Sequence, residues 1–119
     1  MSIRRVVPDI CSEALEESRD FYNLLGFVEV MNLGWVMTLA SPSNPTAQIT
    51  LIGPDATAAV QPDMSIEVDD VDAVHAALVA QGAEIVHSLR DEAWGVRRFF
   101  VRDPNGRVVN VLSHRSAEA

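Results

Sequence analysis

Few side chains in this 119-residue chain are of a type and spacing that could do chemistry. Asp9, Asp63 and Glu67 could each work as a general base if a cavity buried them. His87 or His114, set beside one of those carboxylates, could contribute to a metal site. Three scattered histidines in an acidic chain nevertheless read first as surface or satisfied core groups. Ser65 and Ser113 lie near strand ends with no base paired to either, so neither reads as a nucleophile. No Gly-rich phosphate loop, G-x-S-x-G or CxxC string occurs. The single cysteine, Cys11, excludes an internal disulfide and is expected to be a buried small apolar residue rather than a nucleophile. Trp35, Trp94 and Phe100 offer flat apolar contacts, and Gln48, Arg98 and Asn110 offer polar ones. That mixture suits a small-molecule pocket, although each aromatic would equally suit a core.

The elements that must position these residues follow from periodicity. Ile3–Ile10 reads as a strand whose proline suggests an edge or an end. From Ser12 to Leu25, Leu15, Ser18, Phe21, Tyr22 and Leu25 fall on one helical face, with Glu13, Glu16 and Glu17 near the start and Gly26 as the stop. Three strands follow, Val28–Asn32, Trp35–Ala40 and Gln48–Ile52. After a connector over 53–62 the order restarts with a strand Ser65–Val68. Asp70 can cap a helix Val71–Gln81, whose buried stripe is Val71, Val74, Ala77, Leu78 and Gln81, with Gly82 after it. Glu84–Leu89, Val96–Arg102 and Arg107–Leu112 supply three more strands, the last two joined by the tight turn Asp103-Pro104-Asn105-Gly106. The halves superimpose at a shift of 56 positions, with Ile10 on Ile66, Leu15 on Val71 and Gly26 on Gly82. A βαβββ unit cannot close its own sheet, so two must pair.

Composition sets outer bounds. At 48% apolar the chain can bury one core. Nine basic against seventeen acidic residues give a charge of −8, which argues against nucleic acid or an anionic membrane as partner. No run reaches transmembrane length and no signal-peptide apolar region opens the chain, so the cytoplasm is the expected location.

Several strings, in order and at matching intervals, resemble one family. They are Phe21-Tyr22 with Leu25-Gly26-Phe27, Val68-Asp69-Asp70-Val71, and Asp103-Pro104-Asn105-Gly106. Nearly the whole chain is similar to the vicinal oxygen chelate superfamily of glyoxalase I, bleomycin-resistance proteins and extradiol dioxygenases. Trp94-Gly95, the Arg-rich strand after it and the closing turn resemble the bleomycin-resistance branch. The resemblance implies an α+β fold in a single domain over 1–119. Repeat 1 would cover about 1–54 and repeat 2 about 62–114, together forming a curved eight-stranded mixed sheet with helices on the outer face. Ala14 departs from the pattern, since the shift places it opposite Asp70, and Ser12 is the substitute cap.

Family enzymes hold a divalent metal through His, Glu or Gln on four strands, and those positions carry over to Val7, Thr50, Asp63 and Asn110. Valine cannot ligate, threonine is a poor neutral ligand and asparagine offers only a carbonyl oxygen, so no metal, cofactor or catalytic residue is expected. Those positions define the inward face, onto which period two adds Asp9, Gln48, Ser65, Glu67 and Leu112, with His114 at its end. Val6, Ile10, Ile49, Leu51, Ile66, Val109 and Val111 then pack under the helices. Trp35 or Met37, and Arg98 with Phe100, are the inward choices on the remaining strands. The expected ligand-binding set is Val7, Asp9, Trp35, Gln48, Thr50, Asp63, Trp94, Arg98, Phe100 and Asn110. The favoured reading is a metal-independent binding protein, of sequestration or resistance type, for an aromatic or cationic small molecule. The alternative is a lyase, isomerase or dioxygenase using a displaced metal or a carboxylate base. A homodimer with crevices built from both chains is expected, because relatives of this size pair and exposed sheet edges need covering.

Overall fold

A computed structural model describes residues 2–115. The element order is β1 (Ile3–Cys11), α1 (Leu15–Leu24), β2 (Val28–Asn32), β3 (Val36–Ala40), β4 (Gln48–Ile52), β5 (Met64–Val68), α2 (Val71–Ala80), β6 (Ile85–Asp91), β7 (Val96–Arg102) and β8 (Val108–His114). The fold is α+β, two βαβββ repeats contributing to an eight-stranded mixed sheet in the order β2-β3-β4-β1-β5-β8-β7-β6. Both helices have ten residues, and the 56-position shift lays one on the other, Leu15 on Val71 and Leu24 on Ala80. By contacts the chain divides into a unit Val7–Gln61 and a unit formed by the residues up to Val6 with those from Pro62 onward. The division passes through β1.

In the unit 7–61, the second half of β1 runs parallel to β4, placing Asp9 opposite Thr50. Strand β4 is antiparallel to β3, and β3 to β2, with an irregularity between Glu29 and Met31. Met37, Leu39 and Leu51 form the core, with Ile10, Leu15, Tyr22, Phe27 and Ile49 packed against it. The helix contributes less than its apolar pattern suggests. Phe21 meets Tyr22 edge-on at 5.1 Å rather than the sheet and stays 58% exposed, and Leu25 is also exposed. Ser12 does not cap α1; its hydroxyl accepts from Ala14 N two residues on and pairs with Ser18 Oγ, leaving the helix start without a side-chain cap. Cys11 is exposed, because it falls at the end of β1 on the opposite face from Ile10, which packs under α1.

In the other unit, β5 runs parallel to β8, β8 antiparallel to β7, and β7 antiparallel to β6. Val68, Val71, Phe99, Val101, Val109 and Val111 are its core, with Ile66, Val74, Leu78, Ala83, Ile85 and Leu89 around them. Asp70 caps α2, accepting from Ala73 N at 3.1 Å. Ala77 and Gln81, expected in the buried stripe, are exposed, since Val71, Val74 and Leu78 suffice to cover the strands below. Val6, also expected beneath a helix, is 50% exposed. The turn after β7 is built by Asp103, whose Oδ1 accepts from Asn105 N and Arg107 N, and by Gly106 at φ +83°. No helix among the described residues is long and apolar enough to cross a membrane.

Candidate functional site

Alternation along strands gives each unit a second face, turned away from its helix. In the unit containing residues 62–115, Phe99 and Val101 go down to α2, so Arg98 and Phe100 go to the other side. Val109 and Val111 do the same for Asn110 and Leu112, and Ile66 and Val68 for Ser65 and Glu67. The registers then align two rows across the strands. Ser65, Asn110, Phe100 and His87 make one, and Glu67, Leu112 and Arg98 the next.

The second row carries a buried charge pair. Arg98 donates through Nε to Glu92 Oε2 at 2.8 Å, and Nη2 lies 2.6 Å from the same oxygen. Arg98 is 5% and Glu92 6% exposed. Two charges so far out of water survive only as a pair, which makes this geometry strongly determined. The guanidinium also lies 4.8 Å from the Trp94 ring centroid and 4.8 Å from that of Phe100, so aromatic faces back the cation on two sides. His87 completes the cluster, with its ring 4.6 Å from Phe100 and Nε2 3.5 Å from Glu92 Oε2.

In the first row Asn110 is 9% exposed, and its Nδ2 donates to Ser65 Oγ at 3.0 Å. Its Oδ1 is buried with no hydrogen-bond partner among the described residues. A buried carbonyl oxygen in that state costs free energy, on the order of 1–3 kcal/mol. A ligand donor would recover it.

Glu67 lies at the end of this face, accepting from Arg5 Nε at 2.7 Å and pairing with His114 Nδ1 at 2.9 Å. Burial acts to raise its carboxyl, but His114 and Arg5 outweigh burial and hold it below its ordinary value.

The unit 7–61 presents different chemistry on its helix-free face. Asp9, Thr50 and Thr38 align across β1, β4 and β3, and Asp9 and Thr38 are buried, as is Val7. Met37, an inward choice from the sequence, instead packs in the core beneath α1, and Thr38 takes the inward position. Trp35, half-buried, precedes β3 with the parity of Met37, and its carbonyl accepts from Gly53 N. Gln48 spends Nε2 on the Pro45 carbonyl. Asp63 is exposed ahead of β5, where its carboxylate accepts from Val108 N at 2.9 Å.

Sequence reasoning missed Glu92 because it lies outside every strand and no periodicity flags it. The available signal was a carboxylate just before the Trp94-Gly95 turn, facing an arginine just after it.

The metal positions of the family do not fit a metal here. Val7 has no donor, Thr50 is a neutral hydroxyl, Asp63 is committed to a backbone N–H, and Asn110 is an amide. Of the displaced alternatives, His114 meets Glu67, whereas His87 meets Glu92 instead of Asp9, Asp63 or Glu67; each pair supplies one imidazole and one carboxylate, and each carboxylate already holds an arginine. Among the described residues no group of three or more His, Cys, Asp or Glu is arranged to hold an ion.

Comparison with solved structures reproduces the fold. An NAD-dependent benzaldehyde dehydrogenase structure from Legionella pneumophila has a TM-score of 0.74 at 15% identity, covering 92% of this chain and 99% of that one. Methylmalonyl-CoA epimerase from Mycobacterium tuberculosis gives 0.68 at 23% identity, covering 98% and 91%. A glyoxalase/bleomycin resistance protein/dioxygenase superfamily member from Vibrio splendidus gives 0.65 at 16%, covering 94% and 99%. At such identities the likeness concerns fold alone. Comparison with curated proteins gives no match. A family model spans residues 3–111, both βαβββ units and the closing turn. The chain therefore belongs to the glyoxalase/bleomycin resistance protein/dioxygenase superfamily.

Proposed function

We propose that this protein is a metal-independent binding protein for a small planar molecule carrying a hydrogen-bond donor. The observation that carries the reading is Asn110 Oδ1, a buried acceptor with no partner among the described residues, in the same cross-strand row as the flat rings of Phe100 and His87. The donor would meet Asn110, and the ring system would lie against the half-buried Trp94, since Phe100 is fully buried between Arg98 and His87. Arg98, held by Glu92, is a fixed wall of the site rather than a mobile anion receptor. That pairing favours a neutral or weakly basic ligand over an acidic one. In the unit 7–61, Val7, Asp9 and Thr50 supply a face of the same kind, apolar with buried oxygens. The protein is read as a cytoplasmic homodimer. Edge strand β2, exposed throughout with Val28 and Val30 among its residues, supports self-association.

An enzyme using Asp9 as a buried general base is the second reading, and it rests on the burial of that carboxylate alone. Indole and benzothiophene, matched in shape but differing by one N–H, test the binding reading. The wild type should bind indole about tenfold more tightly, the worth of one hydrogen bond to a buried acceptor. Equal binding of the two in wild type and in Asn110→Leu would refute it.

A further inference from the structure

The opposite side of the same unit holds a cavity. Helix α2 contacts β6, β7 and β8, and beside it a groove of about 940 Å³ opens between the helix and the sheet. Its walls are hydrocarbon: Ile66, Val74, Leu78, Val101, Val109 and Val111. These are the side chains that alternation directs away from Asn110 and Arg98, so the groove does not share the site proposed above. Its size and lining lie within the range of small-molecule sites rather than of flat protein contacts.

The lip has a sign. Glu84 and Asp103 border it, together with Gln81 and Gly82 at the C-terminal end of α2. The last turn of that helix has no basic residue, so its carbonyls are met by the backbone N–H groups of Gln81, Gly82 and Ala83 and no cationic side chain offsets the negative end of its dipole. Arg102 is the one cation among the described lining residues, and it is committed to Glu84 at 3.3 Å and to the Gly106 carbonyl at 3.1 Å. Arg102 offsets one of the two carboxylates, so the described lip keeps one net negative charge, beside the negative end of the helix. We infer that this groove binds a lipophilic cation, with its hydrocarbon body among the valines and leucine and its positive group at Glu84 and the α2 C-terminus.

The probe is decyltrimethylammonium below its micelle concentration, with decanoate at equal concentration as the anionic match. Methyl NMR should show saturable shifts at Ile66, Val74, Leu78 and Val109 with the cation, and decanoate should bind at least tenfold more weakly. Glu84→Lys, a change at an exposed lip position, should weaken the cation severalfold while the fold persists. Val74→Phe should reduce binding by filling the groove, with its melting curve reporting whether it folds. Equal binding of decanoate, cation shifts confined to residues such as Leu112, or no saturation would overturn the inference. Groove methyls that shift on concentrating the protein alone would also overturn it, by assigning the groove to a second copy of the chain.

Discussion

The two βαβββ units share an element order but differ in what they bury and how firmly. The unit containing residues 62–115 has six buried core residues, a capped helix, and buried charge on its helix-free face. The unit 7–61 has a three-residue core, an uncapped helix with Leu24 87% exposed, and a helix-free face of threonine, aspartate and valine. A duplicated architecture does not impose duplicated chemistry. Each face is set by the few inward positions that alternation leaves free, and only one of the two has spent them on a preorganised polar cluster.

The sharpest way to break this contrast is to unbalance the buried pair. Arg98→Met should destabilise the fold by ~3–5 kcal/mol, because the buried Glu92 loses its arginine. Combining it with Glu92→Leu should recover most of that loss in urea denaturation. A single variant as stable as wild type would mean that the pair is not buried as described.

The helix starts offer a milder contrast. Asp70→Ala should cost α2 about 1 kcal/mol. Ala14→Asp should give α1 the cap it lacks and gain a few tenths to about 1 kcal/mol, read by the same denaturation curves.

Acid titration gives the smallest effect. The Glu67 carboxyl is depressed from an ordinary value near 4.5. Its stabilisation is therefore complete above that value and is lost as pH falls through the lowered one. In Glu67→Gln, stability between about pH 5 and pH 3 should fall less steeply than in wild type, as followed by melting temperature.

Much of this was readable beforehand, for physical reasons that differ by element. The spacing of Gly26 and Gly82, the Asp70 cap and the Asp103-Pro104-Asn105-Gly106 turn are local signals, and each element formed within a few residues of its expected bounds. Alternation also sorted Arg98 and Phe100 from Phe99 and Val101, because β7 is long enough to show its period and Phe99 and Val101 belong to the core under α2. It failed on β3, where all five residues are buried and the pattern Val-Met-Thr-Leu-Ala holds one weak polar mark, Thr38. It could not reveal that Arg98 is consumed by Glu92, since that contact depends on how the turn at Trp94-Gly95 folds back. The exposure of Phe21 and Leu25 was likewise hidden, because a helical stripe shows which residues could be covered and not how wide the covering surface is.

Asn110→Leu is the most direct test of the central claim that the helix-free face of the unit containing residues 62–115 is a ligand site. The substitution gives up the 3.0 Å bond from Asn110 Nδ2 to Ser65 and removes the unpartnered buried Oδ1, whose cost is the larger, so a site residue and a structural residue respond in opposite ways. The paired measurement is melting temperature without ligand and affinity for indole against benzothiophene. The account predicts a melting temperature equal to or above that of wild type, with the tenfold preference for indole abolished. A variant that melts well below wild type and still prefers indole would contradict it.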